Sequence, residues 1–387
     1  MNPGSIDAKK QNIVGIARTI YDHPLISRKE LGRQFGLSAS TVTLAVHSLM
    51  ERHLIAECGT EEAAAGRKAR LLQINARAGC ILTVHPDENL SIQFRLCDLC
   101  GQRLLEHTIP APVPCPDQAS FPTYLSQQAR DFLTHASELP PLLAAAVIIP
   151  GIMNGDGTAD LPVFGWEALD LSFLAQTLQV PVFCDTILHM LGSYEVHQQP
   201  PAARQIYLSL EPGVGMSCFE QGQMRSSSNH LYGEIGHISM HEDGPVCYCG
   251  NRGCLEYYCG ISGILSRMAQ AAPQCPILSR CPLTLDGLAQ AARLGSSAAQ
   301  NLLDQTAVEL GRALITIRNI LDPDQIIVSG SLWQIPEVRR TALTLLRSRT
   351  FSSRRPLPLF LDATLSPNQY EIGVCHYVFS RLIATLF

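Results

Sequence analysis

The chain has 387 residues, enough for two or three domains, and its 46% hydrophobic fraction is ordinary for a globular protein. No apolar run approaches the roughly 20 residues of a membrane helix, and the polar start Met1-Asn2-Pro3-Gly4-Ser5-Ile6-Asp7 has no signal-peptide pattern, so no membrane association and a cytoplasmic location are expected. The net charge of −5 is uneven: residues 1–80 hold 11 Lys and Arg against 7 Asp and Glu (+4), and the remainder holds 18 against 27 (−9), which suits a head that meets phosphates on a body that does not.

In chain order, Gln11–Tyr21 places Ile13, Ile16, Ala17 and Ile20 on one helical face, and His23-Pro24 stops it. Ser27-Arg28-Lys29-Glu30 is a capping box opening a short helix with Leu31 and Phe35 inward, and Gly36 ends it. Ser38 caps a third helix with Val42, Val46 and Leu49 as its buried stripe. Two short strands follow, Leu54–Glu57 and Arg70–Ile74, joined by a loop with Gly66-Arg67-Lys68. Residues 1–78 therefore read as an α+β winged helix-turn-helix. Its second motif helix offers Ser38, Ser40, Thr41 and Thr43 to base edges and phosphates of double-stranded DNA. Arg67 and Lys68 suit phosphate contact or an A·T-rich minor groove.

From residue 79 the pattern becomes α/β. Ile81–Val84, Ser91–Leu96, Arg103–Thr108, Leu142–Ile149, Pro181–Asp185, Gln205–Leu210 and Gln325–Ser329 read as strands with helical stretches between them. Residues 110–118 are proline-rich and read as a connection. The last segment, Glu371–Leu386, is an amphipathic helix expected to pack back onto the first lobe.

The chain has fourteen cysteines. With no export signal they are expected as thiols and a metal site, not disulfides. Gly233-Glu234-Ile235-Gly236-His237 is followed by Cys247-Tyr248-Cys249-Gly250-Asn251-Arg252-Gly253-Cys254-Leu255-Glu256. His237, Cys247, Cys249 and Cys254 form a complete His-Cys₃ set, and a closed four-ligand set is structural zinc: one Zn²⁺ is expected. Cys97-Asp98-Leu99-Cys100 has redox spacing but leads into a Gly101 turn, and Cys259 reads as a packed thiol.

The Glu234-Ile235-Gly236-His237 and Cys247-x-Cys249-Gly250-x-x-Gly253-Cys254-x-Glu256 signature resembles that of the ROK family of repressors and sugar kinases. Residues 28–56, Gly66-Arg67, Ile149-Pro150-Gly151, Gly165-Trp166 and Val180-Pro181-Val182 resemble further family landmarks. The resemblance implies an actin-like (ribonuclease-H-like) two-lobed sugar-kinase fold behind the winged helix. The lobes would be 79–190, completed by 371–387, and 191–370 with the zinc site. It implies sugar contacts at Asp185, Glu234, His237 and Glu256, with Asp185 standing at the family's catalytic base.

The phosphate-binding turns depart from the family pattern. Asp-x-Gly-Gly-Thr becomes Val84-His85-Pro86-Asp87-Glu88-Asn89; Gly-Thr-Gly becomes Glu211-Pro212-Gly213-Val214-Gly215; a Gly-Gly pair becomes Ser329-Gly330; and the Asn before the acid is Cys184. Added negative charge and a lost N–H donor remove the electrostatic cradle for ATP. The expectation is no enzyme and a vestigial Asp185 base. The protein is expected to be a DNA-binding regulator of sugar-utilisation genes, a repressor, acting as a homodimer or tetramer on an A·T-rich inverted-repeat operator. It would sense a sugar or sugar phosphate. Control by a protein partner and residual sugar-kinase activity are the alternatives.

Overall fold

The computed structural model describes residues 3–60, 69–227, 231–351 and 354–387. The chain forms two compact units, residues 1–194 with 368–387, and residues 195–367.

The first unit begins with α1 (Pro3–Asp22), which starts well before the periodicity at Gln11. Then come β1 (Ile26–Ser27), α2 (Arg28–Phe35), α3 (Ala39–Glu51), β2 (Ile55–Thr60) and β3 (Arg70–Ile74). The punctuation is as the sequence reads. Ser27 and Glu30 close a reciprocal capping box on α2, and Gly36 takes the left-handed conformation (φ 61°) at its end. Ser38 caps α3 through the Thr41 N–H. The strands pair in the order β1-β3-β2, and Ile16, Ile20, Leu31, Val46, Leu49 and Leu72 fill the core they share with the helices. This is a winged helix.

Next are β4 (Cys80–Pro86), β5 (Ile92–Asp98), β6 (Arg103–Ile109), α4 (Phe121–Thr134) and β7 (Leu142–Ile148). A small antiparallel sheet of β8 (Ile152–Met153), β9 (Thr158–Leu161) and β10 (Trp166–Asp170) follows, then α5 (Phe173–Leu178), β11 (Val182–Asp185) and α6 (Ile187–Gln198). The main sheet runs β11-β7-β4-β5-β6: an antiparallel meander, β4 to β6, with β7 and β11 added in parallel. The C-terminal helix (Tyr370–Leu386) buries Val374, Val378, Phe379, Leu382 and Ile383 and packs on β4, β5 and β7, and also on α1.

The second unit contains β12 (Arg204–Ser209), β13 (Gly215–Glu220), β14 (Gln223–Arg225), α7 (Leu255–Cys259), α8 (Ile261–Ala271), α9 (Leu285–Arg293), α10 (Ser297–Leu321), β15 (Gln325–Ser329), α11 (Pro336–Arg349) and β16 (Leu359–Asp362). Its sheet runs β14-β13-β12-β15-β16, again a meander followed by two parallel strands. The two five-stranded sheets thus share one topology, although no repeat is visible in the sequence. No described helix is long and apolar enough to cross a membrane.

Candidate DNA-reading, metal and effector residues

The exposed face of α3 carries Ser40, Thr43, Leu44 and His47. Its hydroxyls are partly committed locally: Ser38 Oγ lies 2.9 Å from Ser40 Oγ and 2.8 Å from Thr41 Oγ1, and Thr43 Oγ1 donates to the Ala39 carbonyl at 2.7 Å. The sequence reading missed Leu44, a leucine 62% exposed on a helix whose other face is fully buried. Its position one turn beyond Ser40 was a usable signal. Arg67 and Lys68 lie outside the described residues.

The sequence-predicted ligand set is brought together. One ligand atom each from His237, Cys247, Cys249 and Cys254 falls within 4.8 Å of the others. Cys247 Sγ is 3.7 Å from His237 Nδ1, and Cys249 Sγ is 3.7 Å from Cys254 Sγ. A tetrahedral zinc with Zn–S near 2.3 Å separates its sulfurs by about 3.8 Å, so the donor atoms and their spacing fit the ion. Local chain geometry produces this. Gly253, at φ 61°, passes so close that a Cβ would lie 1.9 Å from the His241 carbonyl oxygen. Turn bonds from Cys247 N–H to Asn251 O (2.8 Å) and Gly250 N–H to Cys247 O (3.0 Å) fold the cysteine loop back on itself. As bare thiols the group is poorly placed: burial and the neighbouring sulfurs push Cys254 up to about 12. A cation reverses that penalty by holding thiolates.

His237 points its other nitrogen, Nε2, at the Tyr248 hydroxyl, 3.1 Å away. Glu256 lies beside the Gly213 turn, where its Oε2 accepts from the Val214 N–H at 3.4 Å. A Cβ at Gly213 or Gly236 would meet that carboxylate at 2.9 or 3.0 Å. Glu234 is exposed just before the short helical turn Ile235–His237. Tyr248 was not expected; burial and the Glu256 carboxylate hold its phenol protonated, well above the ordinary range.

In the first unit Asp185 ends β11 and is buried. Its Oδ1 accepts from the Thr186 N–H at 2.8 Å and faces His189 Nδ1 at 2.6 Å, and its Oδ2 accepts from the Tyr377 hydroxyl. Burial alone would raise this carboxyl, but the His189, Tyr377 and Thr186 bonds outweigh it and hold it below the usual range. His189 is four residues on and was legible as a one-turn partner; Tyr377 had no sequence signal. Burial pushes the Cys184 thiol up to about 12, so it stays neutral and a weak hydrogen-bonding group.

The turns expected to have lost phosphate are occupied by the chain's own carboxylates. Asp87 Oδ1 accepts the N–H groups of Asn89 (2.8 Å) and Ser91 (2.9 Å). Glu211 Oε2 accepts the N–H of Ser331 at 3.2 Å. In the Asp98 turn, that carboxylate accepts the N–H groups of Cys100 (2.9 Å) and Gln102 (2.8 Å) and so shapes the turn between the two strands.

A model of the ROK family matches residues 90–368. The xylose repressor of Bacillus subtilis (strain 168) is 25% identical over 382 residues, 97% of this chain and 96% of that one. The DNA-binding transcriptional dual regulator NagC of Escherichia coli (strain K12) is 26% identical over 351 residues, 88% of this chain and 85% of its own. Among solved structures, a ROK family transcriptional regulator, homolog of the E. coli MLC protein, superposes with a TM-score of 0.81 at 22% identity over 98% of both chains. A ROK family glucokinase from Streptomyces griseus, in complex with glucose and AMPPNP, covers 77% of this chain and 98% of its own at a TM-score of 0.61 and 21% identity.

Proposed function

The chain belongs to the ROK family, and from that premise we propose that it is a DNA-binding transcriptional repressor of sugar-utilisation genes that senses a sugar or sugar phosphate without phosphorylating it. The repressor relatives match 97% and 88% of this chain, and at 97% the xylose repressor match reaches into the winged helix. The observation that carries the loss of kinase function is the pair Asp87 and Glu211. Asp87 fills two backbone N–H groups and Glu211 one at turns where the family resemblance implies phosphate, and each adds a negative charge there.

In this reading α3 enters the major groove of duplex DNA with Ser38, Ser40, Thr41 and Thr43, and Leu44 supplies an apolar contact suited to a thymine methyl. Arg67 and Lys68 of the wing take phosphates or an A·T-rich minor groove. A homodimer presents two heads to an inverted repeat in the cytoplasm. His237, Cys247, Cys249 and Cys254 hold one structural Zn²⁺, which supplies a cross-link fixing the segment between Glu234 and Glu256. Glu234, His237 and Glu256 in the second unit and Asp185 in the first are each proposed to bond sugar hydroxyls, because carboxylates and imidazole make charge-assisted bonds to them. For His237 the sugar would take the place of the Tyr248 hydroxyl.

The test is a thermal-shift screen of the full chain with xylose, N-acetylglucosamine, their phosphates and Mg·ATP, followed by operator titration with any sugar that stabilises. Stabilisation by a sugar with loss of operator affinity is the expected result. Salt-independent absence of DNA binding, or stabilisation by Mg·ATP at micromolar concentration, overturns it.

A further inference from the structure

The C-terminal helix touches two things at once. Tyr377, 3% exposed, donates its hydroxyl to Asp185 Oδ2, and Arg381 stacks over the Tyr377 ring 3.3 Å from its centroid. Turned about 100° from Tyr377, the residues His376, Phe379 and Ser380 form an i, i+3, i+4 stripe that holds the DNA head. His376 Nε2 lies 2.6 Å from Asp22 Oδ1 at the end of α1. The Tyr21 ring packs on His376 (5.1 Å) and Phe379 (5.0 Å) and donates its hydroxyl to the Leu99 carbonyl at 2.6 Å. Arg18 donates twice to the Ser380 carbonyl, at 3.1 and 2.6 Å. One rigid helix thus has Asp185 on one face and α1 on the next.

Both oxygens of Asp185 are engaged, Oδ1 by His189 and Thr186 and Oδ2 by Tyr377. Oδ1 already faces two partners, so a sugar hydroxyl that recruits this carboxylate must share Oδ2 with the Tyr377 hydroxyl and draw on that bond. We infer that Tyr377 is a positioning residue that couples Asp185 to the DNA head: effector binding at Asp185 releases the Tyr377 hydroxyl, reseats the C-terminal helix and loosens α1. This rests on the reading of Asp185 as a sugar contact. Packed helices have discrete seats and are not continuously deformable, so the loss of the bond at 377 reaches residues 376, 379 and 380 together.

Amide hydrogen exchange of the full chain tests it, because docking of α1 is read directly as protection. Tyr377→Phe, which keeps the ring, and Asp185→Ala, which removes the acceptor, are each expected to speed exchange across Lys9–Tyr21 by about fivefold or more, the lower end of typical coupling. Strands β12 and β15 of the second unit serve as internal references for correct folding. The double variant is expected to exchange no faster than either single one, since both cut the same link; independent local damage would instead add. Unchanged α1 exchange in both single variants, or additive acceleration in the double, overturns the coupling. Xylose and N-acetylglucosamine form a second arm. If either stabilises wild type, it is expected to speed α1 exchange in wild type and to leave Tyr377→Phe unresponsive. A sugar that binds without altering α1 overturns the coupling and leaves the sugar-sensing reading standing. If neither sugar stabilises, that reading is weakened, and the double-variant comparison still decides the coupling.

Discussion

The carboxylate of Glu211 accepts the backbone N–H of Ser331, 120 residues away, with Oε2 3.2 Å from N. An acid contributed by one turn fills a donor of the next, and at these turns the family resemblance implies nucleotide phosphate, which a negative charge repels. Mg·ATP and Mg·ADP are therefore expected to bind the full chain no more tightly than about 1 mM. Glu211→Gln, which removes the charge and keeps the size, should tighten Mg·ADP by about tenfold, the effect of roughly 1.4 kcal/mol. Calorimetric titration measures both; micromolar binding to the wild type would return the chain to the kinases.

Metal analysis of protein purified without chelator should give one zinc per chain. Cys249→Ser, at the exposed ligand, should lose the ion and lower Tm by at least about 5 °C, since binding of a structural ion is folding free energy. A chelator should do the same to wild type and nothing further to the variant. Full metal content in Cys249→Ser would remove that residue from the ligand set.

The head makes a prediction that separates affinity from specificity. Leu44→Ala should weaken the operator by about 1–3 kcal/mol and leave non-specific duplex binding and its salt slope unchanged, because an apolar side chain contacts no phosphate. Arg67→Ala should weaken A·T-rich sites most if that residue enters the minor groove, and every sequence alike if it touches only phosphate. Fluorescence anisotropy across a salt series on operator and scrambled duplexes reads all of this. A Leu44→Ala variant with an unaltered operator preference would show that α3 does not read bases with that face.

His85, at the end of β4, gives the first unit an acid-sensitive stability. Burial lowers its imidazole from 6.5 to about 4; Arg95 adds to the fall and Asp87 opposes it, while the Tyr370 ring packs edge-on at 5.7 Å. The folded-state value is depressed, so the contribution is complete above the unfolded value near 6.5 and is lost as pH falls toward 4. That loss amounts to up to about 3 kcal/mol. His85→Gln should flatten the pH dependence over that window. The chain has two tryptophans, so Trp166 fluorescence in a Trp333→Phe background follows urea unfolding of the first unit alone. An equally steep slope in His85→Gln would place the titration elsewhere.

Much of the head and the candidate metal site was legible because both are written in short stretches of chain. A capping box needs only Ser27 and Glu30, a left-handed helix end only Gly36, and a buried helix face only residues three and four apart. The four ligands lie between His237 and Cys254, and the glycines among them let a short loop bring all four together. Thiol and imidazole chemistry then left few ions to choose from. The departures from the family's phosphate-binding turns were visible as charge and missing N–H groups in single turns.

The sequence by itself therefore determined the winged helix, the α/β class, the His237, Cys247, Cys249 and Cys254 cluster and the altered turns. Only the tertiary structure decided that Tyr377 meets Asp185, that Glu211 meets Ser331, that β16 ends the second sheet and that both five-stranded sheets repeat one topology. Local patterns are fixed by hydrogen bonds and side-chain periods spanning a few residues, so each residue's neighbours are given by its position in the chain. Distant pairs are chosen by strand register and helix packing, which minimise free energy over a whole core through many small terms. No single residue carries that choice: an unremarkable tyrosine in an amphipathic helix becomes the partner of a buried acid only because the helix on which it lies has somewhere particular to pack.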